Sequence, residues 1–143
     1  MYMYTIMNRC MYETLHAMIP DATIIEFMMI ELPPENDDAG NIEYKRYLES
    51  NITSRKLNQR ATQLKWRAMQ SDAWNAIYYI GVDDDGSFYR LTESQAIESL
   101  IVLAKMAALV KGHIERIEWS IDATLFLFRT TIQLPITQLE YNI

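Results

Sequence analysis

The chain has 143 residues, half of them hydrophobic, with only four glycines and four prolines. That fits one domain with a real core and excludes a low-complexity or collagen-like chain. The net charge of −6 argues against a uniformly nucleic-acid-binding surface, and the single cysteine, Cys10, excludes an internal disulfide framework.

The elements follow in chain order. Residues 9–19 read as a short helix ended by Pro20, with Met11, Leu15 and Met18 at helical spacing on one side. Arg9, Glu13, His16 and Asp21 interrupt the apolar N-terminus, so neither a membrane span nor a clean signal peptide is expected, and the protein reads as cytosolic. Residues 22–32 form a strand or a second helix, with Ile24, Ile25 and Phe27 favouring strand. Pro33-Pro34 stops regular structure and opens a polar loop over 33–41. Residues 1–40 thus read as an N-terminal appendage and loop, and residues 41–143 as the main body.

Within the body, 42–48 reads as a strand, with Ile42 and Tyr44 on one face and Glu43 and Lys45 on the other. Ser54 is placed to cap a helix over 55–70. Leu57, Ala61, Leu64 and Ala68 form its buried stripe. Lys56, Arg60, Gln63 and Arg67 form an adjacent stripe, expected in water. Residues 75–82 are apolar on both faces, as a strand covered on both sides would be. Asp83-Asp84-Asp85-Gly86 then turns the chain into a second short strand at Phe88-Tyr89, with Gly86 at positive φ. The acidic cluster reads as a turn rather than a calcium loop, because Phe88 stands where that loop's glycine is needed and the closing glutamate is missing.

Thr92 and Gln95 make a capping box for a helix running to about Val110. Ile97, Leu100, Ile101, Ala104 and Ala108 are expected inward, and Gly112 is expected as the C-terminal cap. Residues 113–120 and 123–131 follow as an antiparallel pair joined at Ile121-Asp122, and 132–143 as an apolar tail held to an edge by Pro135. The order from Asn41 is β-α-β-β-α-β-β. This is an α+β class, ferredoxin-like split βαβ order plus one strand, with both helices on one face of a mostly antiparallel sheet.

The chemistry is notable for what is missing. No phosphate-binding glycine loop, H-E-x-x-H or C-x-x-C is present, and His16 and His113 lie on different elements. No catalytic residue, metal ligand, cofactor or small-molecule substrate is expected, and the chain reads as a binding protein. What the sequence does organise is charge. Between Lys45 and Arg67 stand seven basic residues (Lys45, Arg46, Arg55, Lys56, Arg60, Lys65, Arg67) against one acid, Glu49. A cationic segment on an acidic body is the pattern of a polyanion-binding face. An ordinary solvated helix face accounts for it equally well.

Several blocks resemble a known family. Leu32-Pro33-Pro34-Glu35 with Gly40-Asn41-Ile42-Glu43-Tyr44-Lys45, then Thr62-Gln63-Leu64-Lys65-Trp66-Arg67, then Ala76 through Gly86, then Leu91-Thr92-Glu93 and Glu98-Ser99-Leu100 resemble, in the same order, the N-terminal region of GTP-binding proteins related to translation elongation factors. The blocks span about residues 32–110. No P-loop appears, so GTPase activity is not expected to carry over. A free-standing domain of this kind resembles a microsporidian ribosome dormancy factor. That resemblance implies a protein of the ribosomal exit (E) site that takes the place of deacylated tRNA. Its partners would be ribosomal RNA and the ribosomal proteins around that site. RNA contact is then expected from Lys56, Arg60, Lys65 and Arg67, with Lys45, Arg46 and Arg55 in support. Trp66 on the same helix either packs on the sheet or stacks on an unpaired base. The competing readings are a protein-interaction module and, without specific support, a small-molecule-binding or enzymatic domain.

Overall fold

A computed structural model describes residues 2–28, 31–120 and 126–136, with side chains from residue 10 onward. The elements are α1 (Tyr2–Met18), β1 (Thr23–Phe27), β2 (Ile42–Lys45), α2 (Ser54–Met69), β3 (Asn75–Ile80), α3 (Glu93–Leu109), β4 (His113–Ser120) and β5 (Phe128–Gln133). The five strands form one sheet in the order β1-β4-β5-β3-β2. β1 runs parallel to β4 and β2 parallel to β3, while β5 is antiparallel to both β3 and β4.

The fold is α+β with helices packed on a sheet, and the expected split unit is present. β3, α3 and β4 form a βαβ crossover with β5 inserted between its two strands. The β2-α2-β3 crossover steps across the sheet in the same direction. Right-handed connections therefore put α2 and α3 on one face, where they pack against each other and against β3 and β4. The sheet is mixed rather than mostly antiparallel, because each crossover helix returns the chain parallel to its starting strand.

The segment read as an appendage is built into the same domain. β1 completes the sheet, and Met11 and Leu15 of α1 are buried in the main core with Leu64, Leu100, Leu103, Ile117 and Phe128. A smaller core lies on the opposite face, where Tyr44, Tyr79, Val82 and Leu127 are covered by Leu32 of the 31–41 loop and by Phe88. β3 is thus apolar on both faces because both are covered.

Local signals explain most boundaries. Thr92 accepts the Gln95 N–H at 3.1 Å while the Gln95 side chain accepts the Thr92 N–H, so the capping box forms as expected. At α2 the cap is Thr53, not Ser54: its hydroxyl accepts from Lys56 N–H, which leaves Ser54 as the first helical residue. Beyond α3 the left-handed position is taken by Lys111, at φ 61°, not by Gly112. Gly112 is required for proximity, since a Cβ there would lie 2.7 Å from the Gln133 carbonyl oxygen. Along α3 the buried set is Ala96, Ser99, Leu100, Val102, Leu103, Met106 and Ala107. Of the residues expected inward only Leu100 belongs to it: Ile101 is 40 % exposed, Ala108 is exposed too, and Ile97 and Ala104 are half-buried. The strand expected at Phe88-Tyr89 reduces to one bridge, Val82 to Phe88. The join at Ile121-Asp122, the start of the 123–131 strand and the tail from 137 lie outside the described residues.

Gly86 sits at φ 90° in the acidic turn, and a Cβ there would collide with the Leu32 carbonyl oxygen and lie 2.7 Å from that of Pro33. Gly86→Ala is therefore expected to destabilise the domain by about 1–3 kcal/mol through backbone strain and displacement of the loop. Chemical denaturation checks this; a change within about 0.5 kcal/mol, as at an ordinary surface site, would show that the 31–41 loop does not rest on this turn.

Candidate nucleic-acid interface

α2 carries most of the candidate residues, and its geometry sorts them. Ala61, Leu64 and Ala68 face the sheet with Leu57 packed beside them. At about 100° per residue, the opposite crest is Arg55, Gln59, Thr62 and Trp66. Lys56 and Arg60 flank it on one side and Lys65 on the other. The expected single line of charge is therefore two-sided.

Arg55, Lys56, Lys65 and Trp66 are exposed and Arg60 is half-buried. Trp66 shows 40 % of its surface, so it is not a core residue. None of the four cations pairs with a carboxylate among the described residues; Arg60 reaches the Glu49 carbonyl oxygen at 3.4 Å. The first turn of α2 has no acidic residue. Arg55 and Lys56 therefore add to the positive end of the helix dipole rather than offsetting it. This costs helix stability and strengthens the local field for an anion.

Arg67 corrects the sequence reading. It is 2 % exposed and its Nε donates to Glu43 Oε2 at 2.7 Å. Its Nη1 donates to the carbonyl oxygens of Ala39 and Gly40, both at 3.0 Å, and its Nη2 lies 4.0 Å from Glu35. The stripe expected in water runs at its C-terminal end beneath the edge of β2, where Glu43 faces the helices. Lys45 lies 3.4 Å from the same Glu43, and Arg46 pairs with Asp83 at 2.6 Å while its guanidinium sits over the Tyr89 ring. These three basic residues hold the fold's own carboxylates, which leaves Arg55, Lys56, Arg60 and Lys65 around the Trp66 indole as the available set.

Over 81 residues the chain is 40 % identical to an uncharacterized protein of Acanthamoeba polyphaga mimivirus, covering 57 % of this chain and 43 % of that protein. Over 83 residues it is 42 % identical to GTP-binding protein 2 of both Mus musculus and Homo sapiens, covering 58 % of this chain but 13 % of theirs. The chain spans less than half the length of these relatives. The similarity is consistent with a GTPase-related domain. No protein-family profile and no solved structure matches the chain.

Several residues of the blocks that carry the family resemblance meet where the 33–41 loop packs against β2 and the 83–86 turn. Glu35, on the loop, accepts the Tyr44 N–H with Oε2; the Tyr44 hydroxyl donates to the Pro33 carbonyl oxygen at 2.8 Å; Glu35 N–H donates to the Asp84 carbonyl oxygen at 2.8 Å. Arg67 closes the cluster from α2. Sequence reasoning missed Glu35 and Glu43 as a group, although both lie inside the matching blocks and Glu43 stands in a strand facing a helix. The acidic turn is a structural turn. Asp85 accepts from the Ser87 hydroxyl and amide, which hold its carboxyl below the usual range, and no described residues form a group of three metal ligands.

Burial pushes the Glu35 carboxyl up to about 7, against the Tyr44 N–H, with Asp37 and Glu43 adding to the rise. Its ordinary value is 4.5, so between the two values the folded state binds the extra proton and stability falls as pH rises. Glu98 has the opposite sign: the Tyr47 hydroxyl and the Ser50 amide and hydroxyl hold it below 4.5, so its contribution is lost in acid. Thermal stability is therefore expected to rise by a few degrees from about pH 8 to about pH 5 and to fall below that. Glu35→Gln should flatten the first limb and keep the second. Melting curves across pH decide this, and an unchanged upper limb in the variant would remove Glu35 as its source.

Proposed function

We propose that this domain is a non-catalytic ribosome-docking factor that lies against ribosomal RNA through α2 and keeps the ribosome idle by occupying the tRNA exit site. The observation that carries this reading is the set Arg55, Lys56 and Lys65, exposed, with the half-buried Arg60, around an exposed Trp66; none of these cations pairs with a carboxylate among the described residues, on an otherwise acidic chain. Cations of this kind release counterions from phosphate, and an exposed indole stacks on an unpaired base. No bond is made or broken in this mechanism, and a cytoplasmic location goes with it. Among the described residues no helix is long and apolar enough to cross a membrane.

A second reading has its own support. Similarity to part of a GTP-binding protein favours an accessory domain that binds a protein partner, with no block of the ribosome. Sucrose gradients of dormant and growing cells separate the two. The docking reading expects the chain in the ribosomal fractions of dormant cells, released by high salt. The accessory reading expects it in lighter, salt-resistant complexes in both.

A further inference from the structure

β2 ends the sheet, and its outer edge has an unusual guard. Ile77 N–H donates to the Asn41 carbonyl and Gly81 N–H to the Lys45 carbonyl, both at 2.8 Å, so residues 41, 43 and 45 face β3. Ile42 and Tyr44 must then turn their backbone groups outward. The Tyr44 N–H is held by the Glu35 carboxylate, a side chain in the place of a strand. Beside it runs a cleft of about 270 Å³ lined by Pro33, Pro34, Glu35, Asn36, Ile42 and Tyr44, with Ile42 40 % exposed. Sheet edges are commonly blunted by lysine, proline or a bulge. Here Lys45 is drawn inward to Glu43, and the charges left at the edge are acidic: Glu35 at the cleft, with Asp37 and Asp38 exposed on its loop.

We propose that this edge and its cleft bind an extended, lysine- and arginine-rich polypeptide, which adds as a strand to β2 by displacing Glu35 from the Tyr44 N–H. The backbone edge supplies hydrogen bonds, the Pro33–Tyr44 cleft takes an apolar side chain, and the acidic loop selects the basic partner and repels acidic ones. Burial of Glu35 assists the exchange. Its charged form is disfavoured in place, so above about pH 7 release of the carboxylate to water becomes easier while it adds to the attraction. This site does not depend on the RNA-docking reading, because it is formed by the sheet edge and the 33–41 loop.

The test uses the full chain without RNA and a labelled peptide alternating lysine and valine, followed by fluorescence anisotropy and amide hydrogen exchange. Expected are saturable binding, tighter at pH 8 than at pH 6, and slowed exchange at Ile42 and Tyr44. Affinity should fall about tenfold or more in Asp37→Lys/Asp38→Lys, about 1.4 kcal/mol per tenfold, and binding should be lost in Ile42→Pro. Both variants change exposed positions, the second at an outward-facing N–H that an edge strand can spare, and circular dichroism checks that each is folded. Unchanged affinity in either folded variant, equal binding of a peptide alternating glutamate and valine, no binding of the lysine peptide, or protection confined to α2 would each overturn the proposal.

Discussion

Arg67→Ala is expected to lower the stability of the domain by about 3–5 kcal/mol, the usual consequence of removing one partner of a buried ion pair. The side chain is 2 % exposed and makes hydrogen bonds to Glu43, Ala39 and Gly40. Its loss leaves Glu43, 3 % exposed, with only Lys45 at 3.4 Å, and frees two carbonyls of the loop that covers the smaller core. Arg67→Lys should recover little, because a single ammonium cannot span Glu43 and the two carbonyls at once. For a chain of this size the alanine variant should melt roughly 10 °C lower or more. A loss below about 1 kcal/mol in urea denaturation would place Arg67 in water, on the face where its spacing alone puts it.

The second large effect has opposite signs in two assays. Arg55→Glu/Lys56→Glu should weaken ribosome binding by about a hundredfold or more at moderate salt and reduce the slope of log affinity against log salt by about 2, one for each phosphate no longer neutralised. The same change puts acids at the positive end of α2, where each is worth about 0.3–1 kcal/mol of added stability. A variant that is more stable and binds less tightly is the mark of residues kept for a ligand rather than for the fold. Equilibrium binding over a salt series, with thermal melts of the same samples, reads both. Equal affinity and slope in the variant would take the first turn of α2 out of the interface.

The sequence carried the framework of this fold because its signals are local. Hydrophobic spacing places α2 and its buried stripe, Thr92 and Gln95 start α3, and Gly86 marks the turn at 83–86. Element order also pointed to a split βαβ unit, while the place of β5 between β3 and β4 is seen only in the structure. Signals that depend on distant partners were less legible. Arg67 has the same helical phase as Lys56 and Arg60, and only the placement of β2 beside the C-terminal end of α2 turns it toward Glu43. Ile24, Ile25 and Phe27 favoured a strand at β1, but its place in the main sheet was hidden for a similar reason: its parallel pairing with β4 joins Thr23 to Arg116, far apart in sequence. Ile101 and Ala108 lie on an apolar pattern that wraps most of α3, so period alone does not say which apolar stripe meets the sheet. At the candidate interface, charge segregation singled out α2 as the element that carries most of the basic residues. It did not separate cations that hold the fold (Lys45, Arg46, Arg67) from those that face water, because that distinction is made by Glu43 and Asp83 from other strands and turns.

Competition on purified ribosomes tests the central claim most directly. Labelled deacylated tRNA is bound at the exit site of vacant ribosomes and the chain is added at rising concentration. The account predicts stoichiometric displacement by the wild-type chain, weakened in parallel with binding in Arg55→Glu/Lys56→Glu and restored as salt is lowered. Ribosome binding that leaves the tRNA in place, or displacement that is indifferent to those two charges, would contradict it.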